Sequence, residues 1–139
     1  MVLVTERRAN YKTGRKRQHS KTVEYFGITF DSKAEGDRYL ELRAMQERGE
    51  IHGLGVHPKF LLQPAFTTEG GERVRAITYT PDFDYTEGEH YTYVVEDVKA
   101  WMTDKRTGKR RPIVQEDCEL KIKMLKYLRP DITFRITGG

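Results

Sequence analysis

Short stretches of alternating hydrophobic and polar residues, interrupted by stretches with helical spacing, organise this chain. Residues 22–30 alternate around Gly27, which predicts a strand or short hairpin with its turn at that glycine. Ser32 followed by Glu35 has the spacing of a capping box and predicts the start of a helix. Gly49 is expected to end this helix, whose apolar row comprises Ala34, Tyr39, Leu42 and Met45.

The chain after this helix is predicted to be mainly strands. We expect a glycine-punctuated turn around Ile51, Leu54 and Val56, a strand over 59–66 interrupted at Pro64, a turn over 68–72 and a strand over 73–85 broken at Pro81. A hairpin loop over 86–90, a strongly apolar strand over 91–101 and a loop over 102–112 follow.

A second helix is predicted over residues 116–128, with Leu120, Met124 and Leu128 on one face and Pro130 as its stop. A last strand is predicted over 132–136. Two helices around a strand meander predict an α/β or α+β arrangement with a mixed sheet. Of the two, we expect the α/β fold, in which a central mixed β-sheet is flanked by helices. We therefore expect a flexible basic N-terminal arm over residues 1–20 and a single domain over residues 21–139.

The net charge of +4 is modest, but the positive residues are clustered. Seven lie near the N-terminus and five in the predicted loop after Trp101: Arg7, Arg8, Lys12, Arg15, Lys16, Arg17 and Lys21, then Lys105, Arg106, Lys109, Arg110 and Arg111. Basic segments fit polyanion binding, because each neutralised phosphate releases counterions. The alternative is a solvated tail and loop. The same two readings apply to Lys121, which either reaches DNA phosphates or lies on the wet face of its helix.

Composition also limits the cellular context of the protein. One cysteine, Cys118, excludes an internal disulfide and a multi-cysteine zinc site. No long uncharged apolar run and no secretory signal pattern is visible, so we expect a cytoplasmic protein with no membrane partner and no small-molecule cofactor. The four histidines have no metal-ligand spacing, and no nucleophile elbow or glycine-rich phosphate loop is present.

Candidate chemistry is concentrated in residues 78–100. Because side chains alternate along a strand, Asp97 and Lys99 point to the same side, and Glu96 and Val98 point to the other. A charged pair inside a valine-rich strand needs a partner or a metal. If Asp82 approaches from the neighbouring strand, two carboxylates and a lysine surround one point. The structural alternatives are a turn residue after proline for Asp82 and an edge-strand ion pair for Asp97 and Lys99.

Such a group suits hydrolysis of a phosphodiester. Carboxylate oxygens are preferred by hard divalent cations, so Asp82 and Asp97 are the predicted metal ligands, with the carbonyl of Val98 as a third. Lys99 would orient or help to deprotonate water, or offset charge on the phosphoryl oxygens. Without metal, the facing carboxylates should raise at least one pKa. Glu35 faces the protein on its helical row, where it is either a capping residue or a fourth member of the site.

These residues resemble the PD-(D/E)xK nuclease superfamily. The resemblance is carried by a helix with Glu35, then Pro81-Asp82, then Asp97-Val98-Lys99, within the wider segments GITFDSKAE at 27–35, RYLEL at 38–42, GEI at 49–51, YTPDF at 79–83 and VVEDVK at 94–99. The pattern is similar to a family of small phage-encoded members of this superfamily. The Thr-Pro-Asp-Phe segment also resembles the transposon-end nuclease TnsA, and the size resembles Holliday junction resolvases of the RecU and archaeal Hjc types.

The resemblance implies a restriction-endonuclease-like core in which Asp82 and Asp97 bind Mg²⁺, Lys99 is catalytic and Glu35 completes the site, with Mn²⁺ as a substitute. Members often carry glutamine where this chain has His57, and Gln63 lies a strand-length further on. No glutamine role is therefore transferred. If the protein is phage-encoded, its compartment is the bacterial host cytoplasm.

The expected function is a structure-selective DNA endonuclease acting on branched DNA, most of all as a phage Holliday junction resolvase working in DNA recombination. A homodimer would suit paired cuts across a symmetric junction. The predicted DNA contacts are Arg15, Lys16, Arg17, Lys21, Lys105, Arg106, Lys109, Arg110, Arg111 and Lys121. The alternatives are a nick, flap or end-processing phage nuclease, and a non-catalytic DNA-binding accessory protein with the same fold.

Overall fold

A computed structural model describes residues 21–138, and the described part begins with the hairpin that the sequence predicts. Strand β1 (Val23–Tyr25) pairs antiparallel with β2 (Ile28–Phe30). The turn residues Phe26 and Gly27 both have positive φ angles, 52° and 77°. A two-residue turn of this kind matches the twist of the flanking strands, and glycine adopts it without strain.

Helix α1 (Lys33–Glu47) follows, as predicted. Its N-cap is Ser32, whose Oγ accepts a hydrogen bond from the backbone N–H of Glu35 at 3.1 Å. Gly49, with φ of 75°, follows the C-cap residue Arg48. The start and end signals of this helix are therefore confirmed.

Ten strands and one further helix complete the described residues. They are β3 (Ile51–Val56), β4 (Phe60–Gln63), β5 (Phe66–Thr67), β6 (Arg73–Val74), β7 (Ile77–Tyr79), β8 (Phe83–Glu87), β9 (Thr92–Val98), β10 (Trp101–Thr103), β11 (Arg110–Pro112), α2 (Glu116–Leu128) and β12 (Thr133–Thr137).

The main sheet within residues 21–138 has four strands in the order β12-β9-β8-β3. Strand β12 runs parallel to β9, whereas β8 is antiparallel to both β9 and β3. The two-stranded pairs β4-β7, β5-β6 and β10-β11 accompany it. The predicted α/β class with a mixed sheet and helices is confirmed at this level.

Alternation along β9 separates two hydrophobic clusters, one on each face of the sheet. Val94 packs with Phe83 and with Leu42 of α1. Val95 packs in the other cluster with Ile122 and Leu125 of α2. Because adjacent strand residues point to opposite faces, α1 and α2 cover opposite sides of the sheet. Asp97 therefore lies on the same face as Val95, as the sequence predicts.

The prediction of a turn around Ile51, Leu54 and Val56 is wrong, because this segment forms β3. The strand is an edge of the main sheet, and its pairing with β8 shifts register between His52 and Gly55. A Cβ atom on Gly55 would collide with the side chain of Asp84. Glycine here permits close approach of the neighbouring strand rather than a turn.

Three other boundaries also differ from the predictions. Residues 73–85 form three strands, since the chain breaks near Ala76 as well as near Pro81. The strand predicted over 91–101 ends at Val98, and Trp101 begins β10. The predicted loop over 102–112 instead contains β10 and β11, which pair as a hairpin.

Helix α2 has the predicted bounds, but a different face is covered. The side chains of Ile122 and Leu125 are buried, whereas Leu120 is 60% exposed.

Among residues 21–138, none of the helices is both long and apolar enough to cross a membrane. The predicted arm, residues 1–20, lies outside the described residues, so the predicted division into arm and domain stays a prediction.

Candidate metal and phosphodiester site

Asp82 lies where the chain leaves one sheet and enters another. Strand β7 pairs with β4, and β8 joins the main sheet immediately after Asp82. The backbone carbonyl of Asp82 accepts a hydrogen bond from the N–H of His57 at 2.8 Å. Its Oδ2 accepts another from the N–H of Val98 at 2.7 Å. These two bonds hold Asp82 between the ends of β3 and β9.

Asp97 and Lys99 lie next to Asp82 at the end of β9. The Asp97 Oδ2 atom accepts hydrogen bonds from the Tyr79 hydroxyl at 2.8 Å and the Lys99 ammonium at 3.1 Å. Asp97 is only 5% exposed, and the Cys118 sulfur lies 4.0 Å from its Oδ2. The structure thus brings Asp82, Asp97 and Lys99 together.

Glu35 makes both a capping contact and a separate side-chain contact. Its backbone N–H completes half of the capping box with Ser32. Its carboxylate, however, is 2.7 Å from His57 Nε2. The side chain is therefore directed to the same corner as Asp82, and local spacing by itself could not show this.

His57 is the residue of this corner whose role the sequence left open. It is a non-glycine residue with φ of 51°, and its ring lies 5.9 Å from that of Phe30. A positive φ angle is uncommon for a residue other than glycine, and residues with such strained backbone conformations are often found at functional sites. The available signal in the sequence was the position of His57 directly before Pro58, where members of the family that this sequence resembles often have glutamine.

The donor atoms of Glu35, His57 and Asp82 lie within 4.8 Å of one another. Two ligand atoms on opposite sides of a cation, each about 2.1 Å from it, are about 4.2 Å apart. Small movements would therefore bring all three donor atoms within bonding distance of one ion. Carboxylates suit Mg²⁺ and Mn²⁺, and an imidazole nitrogen favours the transition ion. Glu35, His57 and Asp82 are therefore donors of the kinds that bind a divalent cation. The predicted carbonyl ligand, Val98, contacts this corner through its N–H, and a role for its carbonyl stays a prediction.

Electrostatics at this corner follow from burial and the crowding of carboxyl groups. Burial and the adjacent Asp97 raise the pKa of Asp82 to about 9. Burial also disfavours the charged form of Asp97, but hydrogen bonds from Asp82, Tyr79 and Lys99 outweigh it and lower the pKa of Asp97. Near neutral pH, the two carboxyls therefore hold one proton between them.

Lys99 stays charged in this environment. Burial by itself would lower the pKa of its ammonium group, but the negative charge of Asp97 outweighs burial and raises it. The residue is therefore suited to donate hydrogen bonds and positive charge rather than to accept a proton in the metal-free protein.

The predicted DNA contacts divide into two groups. Arg15, Lys16 and Arg17 lie outside the described residues. The side chain of Lys121 is half-buried on α2, whereas the remaining six residues are exposed: Lys21, Lys105, Arg106, Lys109, Arg110 and Arg111. Five of these six belong to the segment of the β10-β11 hairpin, which begins two residues after Lys99.

Two hydrogen bonds hold the base of the basic hairpin. The N–H of Ile113 donates to the carbonyl of Ala100 at 2.8 Å, and the indole N–H of Trp101 donates to the carbonyl of Thr137 at 3.3 Å. At its tip, Asp104 Oδ1 accepts from the N–H of Arg106 at 2.8 Å. The base of the hairpin, which begins two residues after Lys99, therefore has a defined place in the structure.

Comparison with known proteins assigns the chain to a family. Residues 15–129 match the model of the family described as "Protein of unknown function (DUF1064)". The chain belongs to this family. No curated protein and no solved structure matches the chain.

Proposed function

We propose that this protein is a divalent-metal-dependent DNA endonuclease with the restriction-endonuclease-like core of the PD-(D/E)xK superfamily. The observation that carries the proposal is the meeting of Glu35, Asp82, Asp97 and Lys99 at one corner of the fold. These residues are distributed over 65 positions of sequence, from 35 to 99. Donor atoms of Glu35 and Asp82 nevertheless lie within 4.8 Å of each other, and Asp82 accepts from the N–H of Val98, between Asp97 and Lys99, which form an ion pair. Asp82 connects the Glu35 side of the corner to the Asp97 side.

Asp82, Asp97 and Glu35 would hold Mg²⁺ or Mn²⁺, with His57 as a nitrogen donor. The cation would lower the pKa of a bound water and offset the charge of the phosphodiester. Asp82 must lose its proton for this role, so metal binding should release a proton. Tyr79 and Lys99 hold Asp97 in its charged form through hydrogen bonds to Oδ2.

Lys99 has the charge and position to stabilise the phosphoryl group as negative charge develops. Its ammonium is 3.1 Å from Asp97 Oδ2 and partly exposed, so a phosphate oxygen could approach it from solvent. The raised pKa of Lys99 favours this electrostatic role over that of a general base.

Branched DNA, and a Holliday junction first of all, is the substrate that we propose. The exposed basic hairpin beside Lys99 supports phosphate contacts, and the resemblance to resolvases supports the branched structure. Two copies of the chain would supply two sites for paired cuts.

The test is cleavage of a four-way junction, a flap, a duplex and a single strand, each with Mg²⁺ or Mn²⁺. The wild-type protein should make paired cuts in the junction, and Asp97→Asn should abolish cleavage. Asp84→Asn is a matched control: it makes the same chemical change two residues after Asp82, where the carboxylate contacts the Tyr93 hydroxyl at 2.6 Å.

The outcomes separate the alternatives. Binding of these DNAs without cleavage by the wild type would refute the nuclease and leave a DNA-binding accessory protein. Cleavage of flaps but not of junctions would replace the resolvase by an end-processing nuclease. Equal cleavage by wild type and Asp97→Asn would refute the assignment of the site.

A further inference from the structure

A second carboxylate, Glu96, is completely buried one residue before Asp97, on the opposite face of the sheet. It accepts hydrogen bonds from the Tyr85 hydroxyl at 2.8 Å and from Thr137 Oγ1 at 3.1 Å. The Arg38 guanidinium supplies two more, from Nε at 2.8 Å and from Nη2 at 2.9 Å. Glu96 is thus a saturated acceptor, and an arginine from α1 forms half of its bonds.

Arg38 connects this carboxylate to the helix that carries Glu35. Residues three apart lie on the same side of a helix, so Glu35 and Arg38 both face the sheet. The third nitrogen of the guanidinium, Nη1, donates to Glu41 at 2.9 Å, one helical turn further on. The guanidinium plane is therefore held from both the helix and the strand.

The pair lies level with the candidate site. Glu96 is opposite Phe83 in the β8-β9 register, and Phe83 directly follows Asp82. We call the pair of Arg38 and Glu96 the clamp. It joins α1 to the strand segments that carry Asp82 and Asp97.

Gln46 of α1 accepts a hydrogen bond from the N–H of Leu54 at 2.8 Å near the other end of the helix, and Glu35 contacts His57. The remaining contacts of α1 with the sheet are mainly apolar. Tyr39 and Leu42 pack among Phe30 and Phe83, and the rings of Tyr39 and Phe83 are stacked at 6.3 Å. Apolar contacts are non-directional and permit small rotations of a helix. A two-bond arginine–carboxylate pair fixes both distance and angle, and reactions at a phosphate lose rate with displacements of about 1 Å.

We infer that the Arg38–Glu96 clamp is a positioning device that sets the placement of Glu35 relative to Asp82 and Asp97. The inference rests on the proposed function for its kinetic consequence, whereas its effect on metal binding can be measured without cleavage. The clamp contacts neither metal nor DNA in this role and acts through α1.

The experiment replaces Arg38 by lysine, which keeps the charge and removes the planar fork. Mn²⁺ affinity, measured by calorimetry, should fall about 10- to 100-fold, as is usual for residues that orient metal ligands. The kcat for junction cleavage should fall by a similar factor with KM for DNA unchanged. Arg38→Met combined with Glu96→Gln removes the ion pair while keeping an acceptor for Tyr85, and should give the same losses in a folded protein.

Glu87→Gln is the matched control. It weakens a second two-bond arginine pair of the sheet, in which Arg135 donates to Glu87 at 2.8 and 3.0 Å at the end of β8 distant from Asp82, and it leaves in place the bond from Arg135 to the Tyr85 hydroxyl at 3.0 Å. This variant should lower the urea midpoint but leave Mn²⁺ affinity and kcat unchanged.

The outcomes distinguish the clamp from the nuclease. Folded Arg38 variants that bind Mn²⁺ within about twofold of wild type would overturn the clamp, as would equal losses in Glu87→Gln. If Arg38→Lys does not fold, the double variant decides by the same affinity criterion. A wild type that cuts no DNA would refute the proposed function, while the Mn²⁺ affinities would still decide the clamp.

Discussion

Replacing Asp82 by asparagine should stabilise the metal-free protein at alkaline pH. Burial and the adjacent Asp97 raise the pKa of Asp82 to about 9 in the folded protein, whereas an unfolded aspartate titrates near about 3.9. When the protein folds at pH 8, Asp82 must therefore either take up a proton or stay negatively charged next to the charged Asp97. Asparagine has neither requirement, and it can still accept from the N–H of Val98.

The sign follows from the raised pKa. The favourable contribution of Asp82 is complete below about pH 4 and is lost as the pH rises towards 9, because the folded state binds the additional proton. The limiting slope is about 1.4 kcal/mol per pH unit, so the ceiling between pH 5 and 8 is about 4 kcal/mol. Asp82 is only half-buried and water reaches it, so we expect about 2 kcal/mol.

The assay is urea unfolding of wild type and Asp82→Asn at pH 5, 6, 7 and 8 with a chelator present. Comparing the two proteins at each pH cancels the titration of all groups that do not interact with Asp82. The stability of wild type relative to Asp82→Asn should fall steadily by about 2 kcal/mol over this range. Saturating Mn²⁺, at about 100 times its Kd, should then add about 2.7 kcal/mol to wild type and much less to the variant.

A difference between the two proteins that stays constant from pH 5 to 8 would contradict the reasoning, because it would mean that Asp82 titrates normally. A relative stability of wild type that rises with pH would contradict it more strongly.

Three further predictions concern catalysis, metal binding and DNA binding. Lys99→Met should lower kcat about 10²- to 10³-fold with DNA affinity little changed, as expected when one positioned donor is lost; equal rates in single-turnover cleavage would contradict this. His57→Gln should weaken Mn²⁺ binding more than Mg²⁺ binding in calorimetry, because an amide oxygen replaces the imidazole nitrogen; an unchanged ratio of the two affinities would show that His57 is no ligand. Lys105→Ala with Arg106→Ala should reduce the slope of log affinity against log salt by about 1 to 2 and leave kcat unchanged, and an unaltered slope would exclude the hairpin from DNA contact.

Local patterns predicted the elements whose signals lie within a few residues. The Ser32 cap and Gly49 predicted α1, and strand alternation predicted that Asp97 and Lys99 share a face. These predictions succeeded because capping geometry and side-chain direction are properties of the adjacent backbone.

The failures occurred where tertiary pairing overrides local preference. Two glycines made residues 51–56 resemble a turn, but hydrogen bonding to β8 makes them a strand and uses Gly55 for close approach to Asp84. The apolar residues of α2 suggested one face, but contact with the sheet selected Ile122 and Leu125. The spacing of residues along the chain does not encode either outcome, because each depends on which other segment packs or pairs with the residues concerned.

The sequence by itself determined the chemical types at the candidate site and the face on which Asp97 and Lys99 lie. Only the tertiary structure decided that the Glu35 carboxylate contacts His57 while its backbone keeps the cap with Ser32, and that Asp82 contacts both sides of the corner. It also showed that Glu96, which was predicted to point to the other side of the strand from Asp97, is buried against Arg38. The physical reason is that side-chain direction is local, whereas distances between residues on α1, β3, β8 and β9 are set by packing across the sheet.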